Sequence, residues 1–233
     1  MRIKIFMDGA DLSAMTAARA SGRVSGFTTN PSLMRRAGIT DYKAFALKAI
    51  GAIPDLPISF EVFSDDFAAM EREAREIASW GGNTYIKIPV TNTKGEPAAP
   101  LIRKLAKEGF SLNVTAILTL DQVRSVADVL DPSARSIVSV FAGRIADTGV
   151  DPVPIMADSA RALARLPKAE LLWASSREFL NVVQAEDCGC HIITATPDII
   201  AKLPLRGKDL RQYSLETVKT FHEDARASGF KIV

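Results

Sequence analysis

The sequence predicts an α/β fold, a parallel (β/α)8 barrel of the TIM type with one extra C-terminal helix. Three observations carry that prediction: short strand-forming runs alternate with helical patterns from end to end, the runs number about eight, and several of them alternate polar with apolar side chains. In chain order the runs are Ile3 to Asp8, Val24 to Thr29, Pro57 to Val62, Tyr85 to Val90, Ser111 to Ile117, Ser136 to Ala142, Glu170 to Ser175 and Cys190 to Ala195. Each is bounded by turn-forming or helix-starting residues.

The segments between them have helical spacing. Phe67, Met70, Ala74 and Ile77 make one apolar face. Thr119 with Gln122 three residues on reads as a capping box, ahead of a stripe of Val123, Val126 and Leu130. Asp151 followed by Pro152 reads as a cap and a first-turn proline, ahead of Ile155, Met156, Ala160 and Leu163. Beyond the eighth run, Ser214 is expected to cap a last helix, about 214–228, with Leu215, Val218, Phe221 and Ala225 on one face. A helix beyond the barrel's needs often covers a neighbouring subunit, so a homo-oligomer is expected. The competing fold is a doubly wound open sheet; with no G-x-G-x-x-G and no Walker loop, its nucleotide-binding version has little support.

Composition narrows the function classes. The chain has 233 residues, 47% of them hydrophobic and 24% charged, with a formal net charge of +2. Barrels of roughly 200 to 250 residues commonly form one unit, so residues 1–233 read as a single domain. The small net charge comes without a basic stripe, which argues against nucleic acid, and no apolar run approaches the roughly 18 residues of a bilayer span. Lys4 and Asp8 interrupt the N-terminal apolar stretch, unlike a signal peptide, and the expected location is cytoplasmic. Cys188 and Cys190 are too close in sequence for a relaxed disulfide and lack a second pair for zinc; they read as packing thiols. His191 and His222, the only histidines, have no obvious ligand neighbours, so no metal or other cofactor is expected. Arg103, Lys104 and Lys107 read as a solvated helix face, and Trp80, Trp173 and Tyr85 as packing.

Strand parity locates the chemistry. In SLNVTAI the polar set is Ser111, Asn113 and Thr115; in ISFEVF it is Ser59 and Glu61; in TYIKIPV it is Tyr85 and Lys87. The other set in each run is apolar and suits the helix-facing side, so the polar groups point into the barrel. One buried lysine and one buried glutamate could simply satisfy each other. Several strands aiming polar groups at one lumen is a stronger pattern. Asp8 ends the first run, Asn30 follows the second, and Arg144 and Arg177 follow the sixth and seventh. All gather at the carboxyl ends of the strands, where barrel enzymes keep their active sites. A lysine in a dry pocket is a nucleophile toward carbonyls, arginines beside a serine suit a phosphate, and Asp8 and Glu61 can move protons. Together these point to Schiff-base chemistry on a sugar phosphate.

Seven strings support a resemblance: MDGAD at Met7, TTNPSL at Thr28, FEV at Phe60, YIKIP at Tyr85, LNVTAI at Leu112, SVFAGRI at Ser139 and WASSR at Trp173. They resemble, in order along nearly the whole chain, the short transaldolases and fructose-6-phosphate aldolases. The resemblance implies that Lys87 forms an imine with the C2 carbonyl of a ketose phosphate. It implies that Asp8 takes the C4 hydroxyl proton and that Glu61 and Thr115 handle a catalytic water. Asn30, Asn113 and Ser139 are then substrate contacts, and Arg144, Ser175 and Arg177 the phosphate site. Transaldolases carry Glu and Phe where the aldolases carry Gln and Tyr, and this chain has Glu61 and Phe141. The implied reaction transfers a dihydroxyacetone unit from sedoheptulose 7-phosphate to glyceraldehyde 3-phosphate, in the non-oxidative pentose phosphate pathway. Short members of the family often form rings of five or ten subunits.

Overall fold

The computed structural model describes residues 1–232. Among them, eight parallel strands close into a barrel, each paired with its neighbours in chain order and the last returning to the first. The strands are β1 (Lys4–Asp8), β2 (Gly26–Thr28), β3 (Ile58–Glu61), β4 (Thr84–Pro89), β5 (Leu112–Ile117), β6 (Ser136–Val140), β7 (Ala169–Trp173) and β8 (Ile192–Ala195). The helices are α1 (Leu12–Ala20), α2 (Pro31–Arg36), α3 (Tyr42–Ala52), α4 (Phe67–Ser79), α5 (Ala99–Lys107), α6 (Leu120–Ala127), α7 (Ala142–Asp147), α8 (Pro152–Leu163), α9 (Leu180–Asp187), α10 (Pro197–Ile200) and α11 (Leu210–Ser228). The TIM-type barrel with an extra C-terminal helix is therefore present.

The chain divides into two compact units, the first Met1–Ile200 with the barrel, the second beginning at Ala201. Within the first, local chemistry starts the helices as expected. Thr119 and Gln122 form both halves of a capping box on α6, and the Asp151 carboxylate accepts from Val153 N–H ahead of Pro152 on α8. Asp66 caps α4, whose Met70, Ala74 and Ile77 are buried. Arg103, Lys104 and Lys107 are exposed, as expected for a solvated face.

Several boundaries differ from the sequence reading, three of them for plain physical reasons. The sixth strand ends at Val140, because Phe141 already stands at the entry of α7. The eighth begins at Ile192: Cys190 N–H turns back to the Ala185 carbonyl and belongs to the exit of α9. In the second unit, α11 is capped by Asp209, whose carboxylate accepts from Gln212 N–H, so the helix starts at Leu210 and Ser214 lies inside it. Asp caps as well as Ser, and four residues of helix, 210–213, precede the expected start.

Parity divides the barrel as read. Ile58, Phe60, Ile86, Ile88, Leu112 and Val114 are buried on the outward set. Inside, Phe6, Tyr85, Ile137, Leu172, Ala174 and Ile192 pack into one apolar cluster with Phe141 against it. Phe6, Tyr85 and Ile137 each precede a polar inward residue, Asp8, Lys87 and Ser139, by two positions. The apolar layer thus forms a packed floor directly beneath a polar one.

Candidate active site

Register brings the polar layer together. Glu61 is the cross-strand partner of Lys87 and Lys87 of Asn113, so these residues stand side by side across β3, β4 and β5. Asp8 pairs with Thr28 across β1 and β2. Lys87 is buried, 7% exposed, with its Nζ 3.1 Å from Glu61 Oε2 and donating to the Thr29 carbonyl at 3.3 Å. The Thr28 hydroxyl donates to Asp8 Oδ1 at 3.0 Å. Burial pushes the Asp8 carboxyl above its ordinary range, opposed by the charge of Lys87, the Thr28 hydrogen bond and the field of Arg36.

Above this layer opens a cavity of about 580 Å³, a size suited to a small metabolite. Asp8, Asn30, Glu61, Lys87, Thr115, Ser139, Phe141, Arg144, Ser175 and Arg177 all line it. Asn113 is fully buried behind that wall, its amide donating to Ser59 Oγ at 3.0 Å and its carbonyl accepting from Ser139 Oγ at 2.7 Å. Asn113 thus fixes the hydroxyl of Ser139, which does reach the cavity. Asn30 has a double duty: its side-chain oxygen caps α2 through Leu33 N–H at 3.0 Å, leaving its NH2 to the cavity. The Thr115 hydroxyl is buried with no hydrogen-bond partner among the described residues. Immediately after it the pairing of β5 with β6 slips, and Ala116 takes a φ of 62°. That break in the ladder lets Thr115 and Ala116 both line the cavity.

The opposite wall is cationic. Arg177 makes a bidentate pair with Asp147, at 2.9 Å from Nε and 2.5 Å from Nη2, and donates to the Ser175 carbonyl at 3.0 Å. The pairing raises the Arg177 pKa and lowers that of Asp147. Arg144 forms no ion pair among the described residues and lies over the Phe141 ring, 5.0 Å from its centroid. Ser175 is one of two non-glycine residues with positive φ among the described residues, at 61°, and it is held there by a close approach. A Cβ on Gly143 would stand 1.6 Å from the Ser175 carbonyl oxygen, and Gly143 N–H donates to the Ala174 carbonyl at 3.2 Å. Only glycine fits at that crossing.

Arg36 lines the cavity too, and the sequence reading passed over it. Its signal was position: one helical turn after Ser32, on the short helix that Asn30 caps. Thr28, Ser32, Ser176, Thr194 and Thr196 complete the polar lining. Trp173 is fully buried packing and Tyr85 lies in the floor, as expected. His191 is satisfied beside β8, its Nδ1 accepting from Leu171 N–H at 3.0 Å.

A family model described as transaldolase/fructose-6-phosphate aldolase matches residues 5–232. The chain belongs to this family. Among curated relatives, a probable transaldolase of Thermoanaerobacter sp. (strain X514) is 36% identical over 99% of this chain and 100% of its own length. One from Streptococcus pyogenes serotype M5 (strain Manfredo) is 35% identical over 95% of this chain and 97% of its own. One from Dehalococcoides mccartyi is 32% identical over 86% and 90%. Solved structures support the barrel alone. Dihydrodipicolinate synthase from Rhodopseudomonas palustris superposes with a TM-score of 0.60 at 13% identity, covering 93% of this chain and 79% of its own. KGPDC from Streptococcus mutans does so at 0.57 and 12%, covering 86% and 91%. As a member of the transaldolase/fructose-6-phosphate aldolase family, the chain is an enzyme of the aldolase/transaldolase type. No helix among its described residues is long and apolar enough to cross a membrane.

Proposed function

We propose that the chain is a transaldolase that moves a dihydroxyacetone unit between sugar phosphates through an imine on Lys87. The observation that carries this reading is the buried Lys87 amine at the cavity floor, 3.1 Å from the Glu61 carboxylate. Glu61 accepts a proton from Lys87, whose nitrogen then adds to the C2 carbonyl of the ketose. The carbinolamine loses its hydroxyl as water, with Glu61 returning the proton and Thr115 orienting the water; its unpartnered hydroxyl supports that role. Asp8 removes the C4 hydroxyl proton, the C3–C4 bond breaks, and its electrons flow into the protonated imine. The aldose phosphate leaves and an enamine stays on Lys87. An acceptor aldose adds by the reverse steps. Ser139 and Asn30 contact substrate hydroxyls, and Arg144, Ser175 and Arg177 take the phosphate.

Transfer rather than release is favoured by Glu61 and Phe141, the residues that the transaldolases carry at these positions. The fitting donors and acceptors are those of the non-oxidative pentose phosphate pathway, in the cytoplasm. The exposed apolar residues Leu215, Val218 and Phe221 of α11 support a homo-oligomer in which this helix covers a neighbour, which light scattering on eluted protein will test.

Borohydride reduction in the presence of fructose 6-phosphate should fix a stable adduct on Lys87. Lys87→Met should abolish the adduct and lower kcat by at least roughly 10⁴-fold. An adduct on another lysine, or turnover by the variant, refutes the imine. Cleavage of fructose 6-phosphate without an acceptor aldose, at the rate seen with one, would make the protein an aldolase instead.

A further inference from the structure

Cys188 and Cys190 take no part in the cavity; they precede β8 on its amino-terminal side, whereas Thr194 and Thr196 reach the cavity from its carboxyl end. Helix α9 stops at Asp187 with Cys188 at its cap, and Gly189 then adopts a φ of 88°. The turn brings Cys190 N–H back to the Ala185 carbonyl at 2.9 Å. Two residues apart on a continuing helix would face away from each other, and two apart on a strand would stand roughly 6.6 Å apart along it. The left-handed glycine does neither. It folds both thiols onto one side, with Sγ to Sγ at 3.6 Å. One thiol is half-buried and the other buried.

We propose that Cys188 and Cys190 form a reversible dithiol–disulfide site for a small hydroperoxide oxidant, Cys188 meeting the oxidant and Cys190 resolving it. In the first step, with hydrogen peroxide as the oxidant, the Cys188 thiolate attacks the peroxide: an S–O bond forms, the O–O bond breaks, and the departing hydroxide takes a proton to become water. Cys188 is oxidised to a sulfenic acid and the peroxide is reduced. In the second, the Cys190 sulfur attacks the Cys188 sulfur. The S–S bond forms, the S–O bond breaks, and the leaving hydroxide departs as water with the Cys190 proton. Two thiols and one peroxide thus give one disulfide and two waters.

The order of the two cysteines has a physical basis. The hydrogen bond from Cys190 draws the Cys188 thiol below its ordinary value, while that bond and then burial push Cys190 up. The half-exposed thiol is therefore the nucleophile, and the buried one keeps the proton that the second step releases. A ring closed over a single intervening glycine is tight, so thiol reductants should reopen it.

The test treats reduced protein with one equivalent of hydrogen peroxide, alkylates the remaining thiols with N-ethylmaleimide after unfolding, and maps the peptide that carries both cysteines. The expected result is loss of both alkylatable thiols and of two hydrogen atoms from that peptide within one chain, with both thiols regained after a dithiol reductant. In Cys190→Ser a 1,3-dione should label Cys188; in Cys188→Ser it should leave Cys190 unlabelled. Full alkylation of both cysteines after peroxide, irreversible over-oxidation of Cys188, or a disulfide joining two chains overturns the proposal. The unsubstituted protein decides the matter even if a variant fails to fold.

Discussion

The barrel holds two inward-facing lysine–carboxylate pairs, one near each end. Lys4 and Glu170, at the amino end, meet at 2.7 Å with side chains 51% and 27% exposed; Lys87 and Glu61 meet at 3.1 Å with side chains 9% and 20% exposed. The shorter pair is the wetter one. Exposed pairs of this kind contribute only about 0–1 kcal/mol, because water screens them and long side chains lose freedom in making them. A dry pair must also offset the hydration it gives up, several kcal/mol for each ion, and often contributes no net stability. The same two residue types are therefore an ordinary solvated pair at one end of the barrel and a buried pair, the one proposed to react, at the other. The apolar floor of Phe6, Tyr85 and Ile137 lies between them.

Breaking the deep pair tests this most strongly. Glu61→Gln should keep the fold and lower kcat by roughly 10² to 10⁴-fold, since the proton path to Lys87 is lost. Single-turnover imine trapping should slow in parallel; normal trapping would show that Glu61 serves only packing. Asp8→Asn sharpens the comparison from the neighbouring strand. As the proposed base, Asp8 must be ionised, and burial raises its pKa, so the acid limb of kcat/KM should lie above the ordinary carboxylate range and vanish in the variant. Stability should move the other way. A carboxyl whose folded pKa is raised destabilises the fold at pH values above it, and the penalty fades as pH falls through the folded value toward the unfolded one. Asp8→Asn should therefore melt higher than the parent at neutral pH, with the gain shrinking in acid; a variant that melts lower at pH 7 contradicts the burial argument. Lys4→Met, at the shallow pair, is expected to change stability by less than about 1 kcal/mol and kcat not at all, measured by denaturant unfolding and steady-state assay.

Much of this geometry was readable from the chain because side-chain alternation along a strand is local. The polar set of TYIKIPV, ISFEVF and SLNVTAI already separated Lys87, Glu61 and Asn113 from their helix-facing neighbours, and parallel register then placed them side by side. What required the structure was anything set by a distant partner. Parity could not show that Asn113 spends its amide on Ser59 and Ser139 and stays behind the cavity wall. The ion pair of Arg177 joins residues 30 positions apart. Arg36 went unnoticed because a charged residue on a short exposed helix resembles any solvated one until the cavity beside it is seen. The start of α11 was misplaced because Ser214 and Asp209 are both competent caps, and only the hydrogen bond to Gln212 chooses between them.

The crossing of Gly143 and Ser175 reaches beyond its own neighbourhood. With no room for even a methyl group at Gly143, the segments that follow β6 and β7, which carry Arg144 and Arg177, are in direct contact. On the proposed function, tolerance for altered sugars should accumulate at Asn30 and Arg36 on the β2 side, with Arg144 and Arg177 as the fixed datum from which a substrate's phosphate is measured.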